Sequence, residues 1–342
     1  MADVIIRKRG KVGQITLNRP SALNALTYDM ITSIEKALIE WEDDKNIAAI
    51  LVDANGDRAF CAGGDILDLY NQGQAKNYKF GQKFWADEYR LNARIDSYSK
   101  PYVVFMQGFT MGGGVGISCH GSHRIVGETS RIAMPECGIG LVPDVGGSFL
   151  LSQKSINLGI YLGTTCSQMD ANDSIFAGFA DYFVPEDRWE KAKCQLIETG
   201  DPEFLKGLNV SLSESGLSKN FVLIEEVFSE SNHKSLIEKM SKYSELASAL
   251  RRLKKASPLS IFVTTKMLRM PEIASSVKSA LEIEYRYTAR AQEFSDFQEG
   301  IRATVIDKDK KPNWKHLSLD SVSQEEGLWF LTPLDSKLEL RL

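Results

Sequence analysis

Two glycine-rich turns and two acids lie within forty residues of one another. The first turn runs from Gly108 to Gly116 and reads Gly-Phe-Thr-Met-Gly-Gly-Gly-Val-Gly. The second segment, residues 134–147, reads Met-Pro-Glu-Cys-Gly-Ile-Gly-Leu-Val-Pro-Asp-Val-Gly-Gly and holds Glu136 and Asp144. Glycine lets bare backbone N–H groups approach a ligand where a Cβ would collide. Where such a turn opens a helix, those donors can hold an oxyanion. Acids beside that hole are placed for acyl chemistry on a thioester.

A second donor is offered by Ala62-Gly63-Gly64-Asp65, which follows one apolar run and precedes a helical pattern. The amide of Gly64 is one candidate and that of Gly113, in the Gly112–Gly114 run, the other. Removing one such donor typically costs about 2.7–4 kcal/mol of transition-state stabilisation. The bland reading of both turns is tight strand-to-helix packing, and it can hold at the same time. The spacing is not the dinucleotide pattern G-x-G-x-x-G.

Glu136 and Asp144 are separated by Gly138, Gly140 and Pro143, so no single helix brings them together. Loop carboxylates making turn hydrogen bonds are the ordinary alternative. Their neighbours Met134, Ile139, Leu141, Val142 and Val145 are apolar, which raises a carboxyl pKa and suits acid, base or nucleophile work. Glu88 interrupts an apolar stripe: Phe84, Glu88, Leu91 and Ile95 share one helix face. From the residues alone, a structural role is the favoured reading, a salt bridge to Arg90 or Arg94 or a slightly rotated face with Glu88 at its rim, and binding of a substrate hydroxyl the other. Cys119, His120 and His123 lack further ligands nearby, so no metal is expected. Gly116-Ile117-Ser118-Cys119-His120-Gly121 misses the G-x-S-x-G elbow by one position, so a serine hydrolase is not expected.

Elements must hold these groups. Val4 to Arg9 and Val12 to Asn18 predict a hairpin. Met30, Ile31, Ile34, Ala37, Leu38 and Trp41 predict a helix over Tyr28 to Asp43. Ile47 to Ala54 and Pro101 to Gln107 are apolar runs of strand length, as in a sheet covered on both faces. Ala59 to Asp65 is expected as a loop, with a helix from Ile66 and another over Phe80 to Ile95. Arg124 to Val126 and Arg131 to Met134 are further strands. From about 186 to 305 the pattern is helical, with Ser213 to Lys219 as loop and Pro202, Pro258 and Pro271 at helix starts or breaks. The order indicates an α/β core.

With 342 residues, one large domain plus an appendage, or two domains, is expected. A net charge of −4 gives no general pull toward nucleic acid or anionic membrane. No run long enough to span a membrane occurs, and the polar N-terminus has no signal-peptide core. The five cysteines include no C-x-x-C pair, which fits a reducing compartment rather than a disulfide framework.

The chain resembles the crotonase (enoyl-CoA hydratase/isomerase) superfamily. The marks are Asn18-Arg19-Pro20 with Asn24-Ala25-Leu26, Ala59 to Asp65, the Gly112–Gly114 run, and Ala171, Ala177-Gly178 and Val184-Pro185. Nearer marks point to the branch that hydrolyses short 3-hydroxyacyl-CoA thioesters. They are Glu88-Tyr89-Arg90-Leu91-Asn92, Lys100-Pro101-Tyr102, Met134-Pro135-Glu136, Pro143-Asp144-Val145-Gly146-Gly147 and Phe297 to Ala303 leading into Asp307-Lys308-Asp309. The resemblance implies a ββα spiral core over 1–190, a helical region over 191–305 and a C-terminal extension over 306–342. It implies Gly64 and Gly113 as oxyanion-hole donors, Glu136 and Asp144 as catalytic acids, and Glu88, Gly113, Glu136 and Asp144 as substrate-binding residues. The hydratases' other glutamate falls on Gly116, which argues against adding water to an enoyl bond. A dienoyl-CoA isomerase is the alternative, and a non-catalytic RNA-binding or complex subunit a remote one. The implied partner is an acyl-CoA substrate, 3-hydroxyisobutyryl-CoA above all, with CoA as part of the substrate and no separate cofactor. Neither nucleic acid nor membrane is expected as a partner, and a homo-oligomer is left open. The expected place is the bacterial cytoplasm, or the mitochondrial matrix in a eukaryote.

Overall fold

A computed structural model describes residues 2–211 and 213–342. Met1 and Leu212 lie outside the described residues. The chain forms two compact units that interleave along the sequence: Met1–Gly64, Arg90–Ile132 and Met169–Ser218 in one, Asp65–Tyr89, Ala133–Gln168 and Lys219–Leu342 in the other.

The first unit is built on strands. β1 (Val4–Arg9) and β2 (Val12–Leu17) form the antiparallel hairpin. Its turn needs Gly10, whose φ is +51° and whose absent Cβ would lie 2.3 Å from the Ile197 carbonyl oxygen. Then come β3 (Ala49–Ala54), β4 (Ala59–Cys61), β5 (Tyr102–Met106), β6 (Phe109–Met111), β7 (His123–Val126), β8 (Arg131–Ala133) and β9 (Tyr182–Phe183). One sheet has the order β1-β2-β3-β5-β7-β9, the other β4-β6-β8. From β3 onward consecutive strands alternate between the two sheets, and the strand pairs β2/β3, β3/β5, β5/β7 and β7/β9 are all parallel. This is the expected ββα spiral within an α/β fold.

Local chemistry explains the elements. Thr27 accepts a hydrogen bond from the Met30 amide at 3.2 Å and starts the helix Tyr28–Glu42. That helix buries the six apolar residues that its spacing singled out. Every residue of β5 is buried, as an apolar run between two covered faces requires. Val12, Leu51, Val103, Phe105, Ile125, Val184 and Leu196 make a common core, with Trp189 edge-on to Phe105.

The second unit is helical. Pro258 occupies the first turn of the helix Pro258–Met267, capped by Ser257. Pro271 starts a 3-10 turn, Pro271–Ala274. The long helix Val277–Phe294 is capped by Ser276. Two expectations fail. Residues 59–61 and 109–111 are strands, because their pairing partners lie some fifty residues away and no local periodicity reports them. Much of the expected loop at Ser213 to Lys219 is helix, Gly216–Phe228, nucleated by Ser215 accepting from Ser218 N at 2.8 Å and Asp173 accepting from Leu217 N at 2.8 Å.

A Cβ at Gly114 would meet the Cys61 carbonyl oxygen at 2.3 Å and Cys61 Cβ at 2.9 Å. Gly114→Ala should therefore cost about 1–3 kcal/mol through backbone displacement. Gly207→Ala, where no atom stands within 4 Å, should change stability by less than about 1 kcal/mol. Urea midpoints of the two variants test the contrast, and equal midpoints contradict it.

Candidate active site

Backbone donors come from the first unit. β4 and β6 run parallel, pairing Ala59 with Phe109 and Cys61 with Thr110, so both loops leave from the same end. The loops stay side by side: a Cβ on Gly63 would lie 3.5 Å from the Met111 carbonyl oxygen and 4.0 Å from the Gly113 nitrogen. Gly63 has φ +118°, a conformation that side chains resist. Its carbonyl accepts from Leu26 N at 2.9 Å. Across the trans peptide plane the Gly64 N–H points the opposite way, away from Leu26. Gly112, at φ +49°, turns the chain into the short helix Gly113–Gly116, and the Gly113 amide lies in its first turn. The position of the hydratases' other acid, Gly116, is buried and bears no side chain.

Carboxyls come from the second unit. Glu88 lies on the helix Tyr78–Asp96, Glu136 opens the 3-10 turn Glu136–Ile139, and Asp144 stands just before the helix Gly147–Lys154. All three are buried, at 2%, 4% and 4% exposure. Burial, reinforced by the charge of Asp144, holds Glu88 and Glu136 well above the usual carboxylate range. Burial also pushes Asp144 up to about 7, against opposing hydrogen bonds from Tyr89 and the backbone. The charges of Asp144, Glu284 and Glu88 all act on Glu136, so the second unit brings the three predicted acids together. The salt bridge favoured for Glu88 does not form with Arg94. Arg94 pairs with Glu35 at 2.8 Å and Glu42 at 3.2 Å, while Glu88 Oε1 is buried without a hydrogen-bond partner. Glu136 Oε2 is likewise unpartnered. Such atoms are costly unless a ligand group meets them.

Three neighbours were not singled out from the sequence. The Tyr89 hydroxyl donates to Asp144 Oδ2 at 2.7 Å and lies 3.3 Å from the Thr288 hydroxyl oxygen. Burial raises the Tyr89 pKa well above 10, so it remains a donor. Glu284, fully buried, accepts from the Gly146 and Ser148 amides at 2.8 and 3.0 Å and from the Ser148 hydroxyl. Burial pushes Glu284 up to about 8. Its signal was available: with Leu281, Thr288 and Ala291 it falls on one helix face, the interruption that marked Glu88. A buried tyrosine in a helix carries no comparable mark. The thiol of Cys119 is pushed up to about 11 by burial and is inert as a nucleophile. Among the described residues, no group of His, Cys, Asp and Glu is arranged to hold a metal ion.

The chain has relatives among known proteins. The sequence model described as Enoyl-CoA hydratase/isomerase matches residues 12–330. A protein of Danio rerio named 3-hydroxyisobutyryl-CoA hydrolase, mitochondrial, is 38% identical over 95% of this chain and 88% of its own. Its Homo sapiens namesake is 37% identical over 95% and 87%. Among solved structures, an enoyl-CoA hydratase from Rhodobacter sphaeroides superposes with a TM-score of 0.94 at 44% identity, covering all of both chains. A carnitinyl-CoA dehydratase from Mycobacterium thermoresistibile gives 0.94 at 35% identity, over 100% of this chain and 99% of its own.

Burial places the folded pKa of Asp144 at about 7, above an unfolded value of roughly 3.9. Between these values the folded chain binds the extra proton, so stability falls as pH rises through that window. Asp144→Asn abolishes the penalty. At pH 8 it should be more stable than the parent by between about 1 and 4 kcal/mol, with the gain fading toward pH 4. Urea unfolding at the two pH values reads this directly; a variant less stable at pH 8 contradicts it.

Proposed function

Because the chain belongs to the enoyl-CoA hydratase/isomerase (crotonase) family, we propose that it hydrolyses the thioester of a short 3-hydroxyacyl-CoA, 3-hydroxyisobutyryl-CoA first among them. The observation that carries this is the pair Glu136 and Asp144, buried with raised pKa values, in a chain whose other hydratase position is Gly116. The full-length relatives named 3-hydroxyisobutyryl-CoA hydrolase support the same substrate.

The roles follow from the chemistry. The amides of Gly64 and Gly113 hold the thioester oxygen and stabilise the charge it gains. Glu136, as carboxylate, adds to the carbonyl carbon. The C–S bond breaks, the CoA sulfur takes a proton from Asp144, and an acyl-glutamyl anhydride remains. Asp144, now ionised, takes a proton from the water that opens the anhydride, which restores both acids and releases the hydroxy acid. A pKa near 7 lets Asp144 give and take that proton at neutral pH. Glu136 acting as base for water gives the same products; the resemblance favours the anhydride. Glu88 accepts a hydrogen bond from the substrate hydroxyl through its unpartnered Oε1.

A hydratase reading is favoured by the names of the solved neighbours. It lacks the acid that protonates or deprotonates the enoyl carbon, since Gly116 has no side chain. An isomerase of the dienoyl type lacks the same group. CoA enters as part of the substrate, with no separate cofactor. Among the described residues no helix is long and apolar enough to cross a membrane. The animal relatives are named mitochondrial. We keep the bacterial cytoplasm, or the matrix in a eukaryotic host, as the place of action.

Two outcomes are expected. Glu136→Gln should lower thiol release from 3-hydroxyisobutyryl-CoA by about a thousandfold or more with no loss in the unfolding midpoint, as loss of a covalent or general-base group does. A variant with parental activity ends the assignment. In the parent, 3-hydroxyisobutyryl-CoA should exceed isobutyryl-CoA in kcat/KM by at least about a hundredfold, because a site built for a hydroxyl leaves buried groups unpaired without it. Glu88→Ala should collapse that ratio; equal rates in the parent remove Glu88 from recognition.

A further inference from the structure

The helix Val277–Phe294 supports Asp144 from two directions, both within the second unit. On its buried face Glu284 and Thr288 stand one turn apart, each fully buried. Glu284 Oε2 accepts from Gly146 N at 2.8 Å, and Oε1 accepts from Ser148 N at 3.0 Å and from the Ser148 hydroxyl. Thr288 approaches the Tyr89 hydroxyl oxygen at 3.3 Å, and that hydroxyl donates to Asp144 at 2.7 Å. The turn so held is a demanding one. Val145 and Gly146 take φ of +55° and +76° in succession, and the Asp144 carbonyl accepts from Gly147 N at 2.7 Å. A β-branched residue at positive φ persists only where its surroundings impose it. The helix Gly147–Lys154 has no side-chain cap of its own, and Glu284 supplies one from a segment 136 to 138 residues away.

Nothing in the hydrolysis steps uses Glu284. An acid buried for packing alone is a poor choice, since an apolar residue fills such a place without desolvation. We propose that Glu284 is a positioning residue: by gripping the amides of Gly146 and Ser148 it fixes the 144–148 turn, so that the Asp144 carboxyl stays at the orientation Tyr89 holds. The inference rests on the reading of Asp144 as the proton-handling partner of Glu136.

A kinetic double-mutant cycle tests it, using the full chain and 3-hydroxyisobutyryl-CoA with thiol release as readout. Glutamine at 284 keeps the volume but sets an NH₂ against a backbone donor, so one arm of the grip opens. Glu284→Gln should lower kcat by about tenfold or more and change KM by less than about threefold. Asp144→Asn should lower kcat further. In the Asp144→Asn background Glu284→Gln should then add less than about twofold, because its effect passes through the missing carboxylate. The same factor in both backgrounds overturns the inference while leaving the role of Asp144 intact. So does an unchanged kcat in Glu284→Gln. If Asp144→Asn itself keeps the parental rate, the reading of the site fails, and the inference falls with it. Should Glu284→Gln not fold, Ser148→Ala removes the hydroxyl arm alone. It should lower kcat by about two- to fivefold, again only where Asp144 is present; persistence of that loss in Asp144→Asn overturns the proposal.

Discussion

Desolvation of carboxyl groups is the constraint on which the second unit turns. Glu88, Glu136, Asp144 and Glu284 are each at most 4% exposed, and their charges act on one another. Bringing like charges into a dry interior opposes folding unless protons or donors answer them. Tyr89 answers Asp144; the Gly146 and Ser148 amides, at a helix start, answer Glu284. The two oxygens left unanswered, Glu88 Oε1 and Glu136 Oε2, belong to the residues assigned to the substrate hydroxyl and to the nucleophile. Strain and desolvation retained at such places are what a functional site looks like in an otherwise satisfied fold.

The first unit answers a different problem, that of presenting naked amides. Two uncharged N–H groups from separate loops can be held next to each other by neighbouring strand ends. The spiral sends β4 and β6 out in parallel, and each leads into a glycine whose backbone conformation side chains resist, φ +118° at Gly63 and φ +49° with ψ −121° at Gly112. The cradle is backbone, so it depends on the strands on either side rather than on any one side chain. Gly114 has to be glycine for the same reason, since the Cys61 carbonyl fills the space where its Cβ would be.

What could be read from the sequence follows from the range of the physics. The helix Tyr28–Glu42 repeats its apolar residues every turn, so its face is written locally. β3 and β5 are runs of apolar residues that only a doubly covered sheet tolerates. β4 and β6, three residues each, exist through pairing with strands far along the chain, β4 with β6 across some fifty residues and β6 also with β8, and no short window contains that information. The same divide runs through the site. The glycines and the pair Glu136 and Asp144 were visible by type and spacing, and the resemblance supplied their roles. Glu88 was visible as an interruption, yet the residues alone favoured an ion pair, because helical spacing cannot tell that Arg94 turns to Glu35 and Glu42. Glu284 made the same interruption nearly two hundred residues later. It passed unnoticed because its partners, two amides of a distant turn, leave no trace in composition.

A family with one backbone and several reactions places the choice of reaction in very few side chains. The neighbours at a TM-score of 0.94 bear hydratase and dehydratase names, while the curated relatives over most of the chain bear a hydrolase name. The amides proposed to hold the thioester oxygen suit all of these, because each reaction polarises a thioester carbonyl. What separates them is what stands around the acyl carbon atoms. An enoyl substrate needs an acid at both ends of the added water. By the resemblance, one of those ends falls on Gly116, which has no side chain. Of the remaining acids, Asp144 is tied to Tyr89, and the charges of Asp144 and Glu88 act on Glu136. Burial holds Glu88 and Glu136 above the usual carboxylate range and Asp144 at about 7, and in the proposed reaction Asp144 is the acid that gives its proton to the departing thiolate. The arrangement therefore favours cleavage at the carbonyl over addition two carbons away, on a scaffold that by itself allows both.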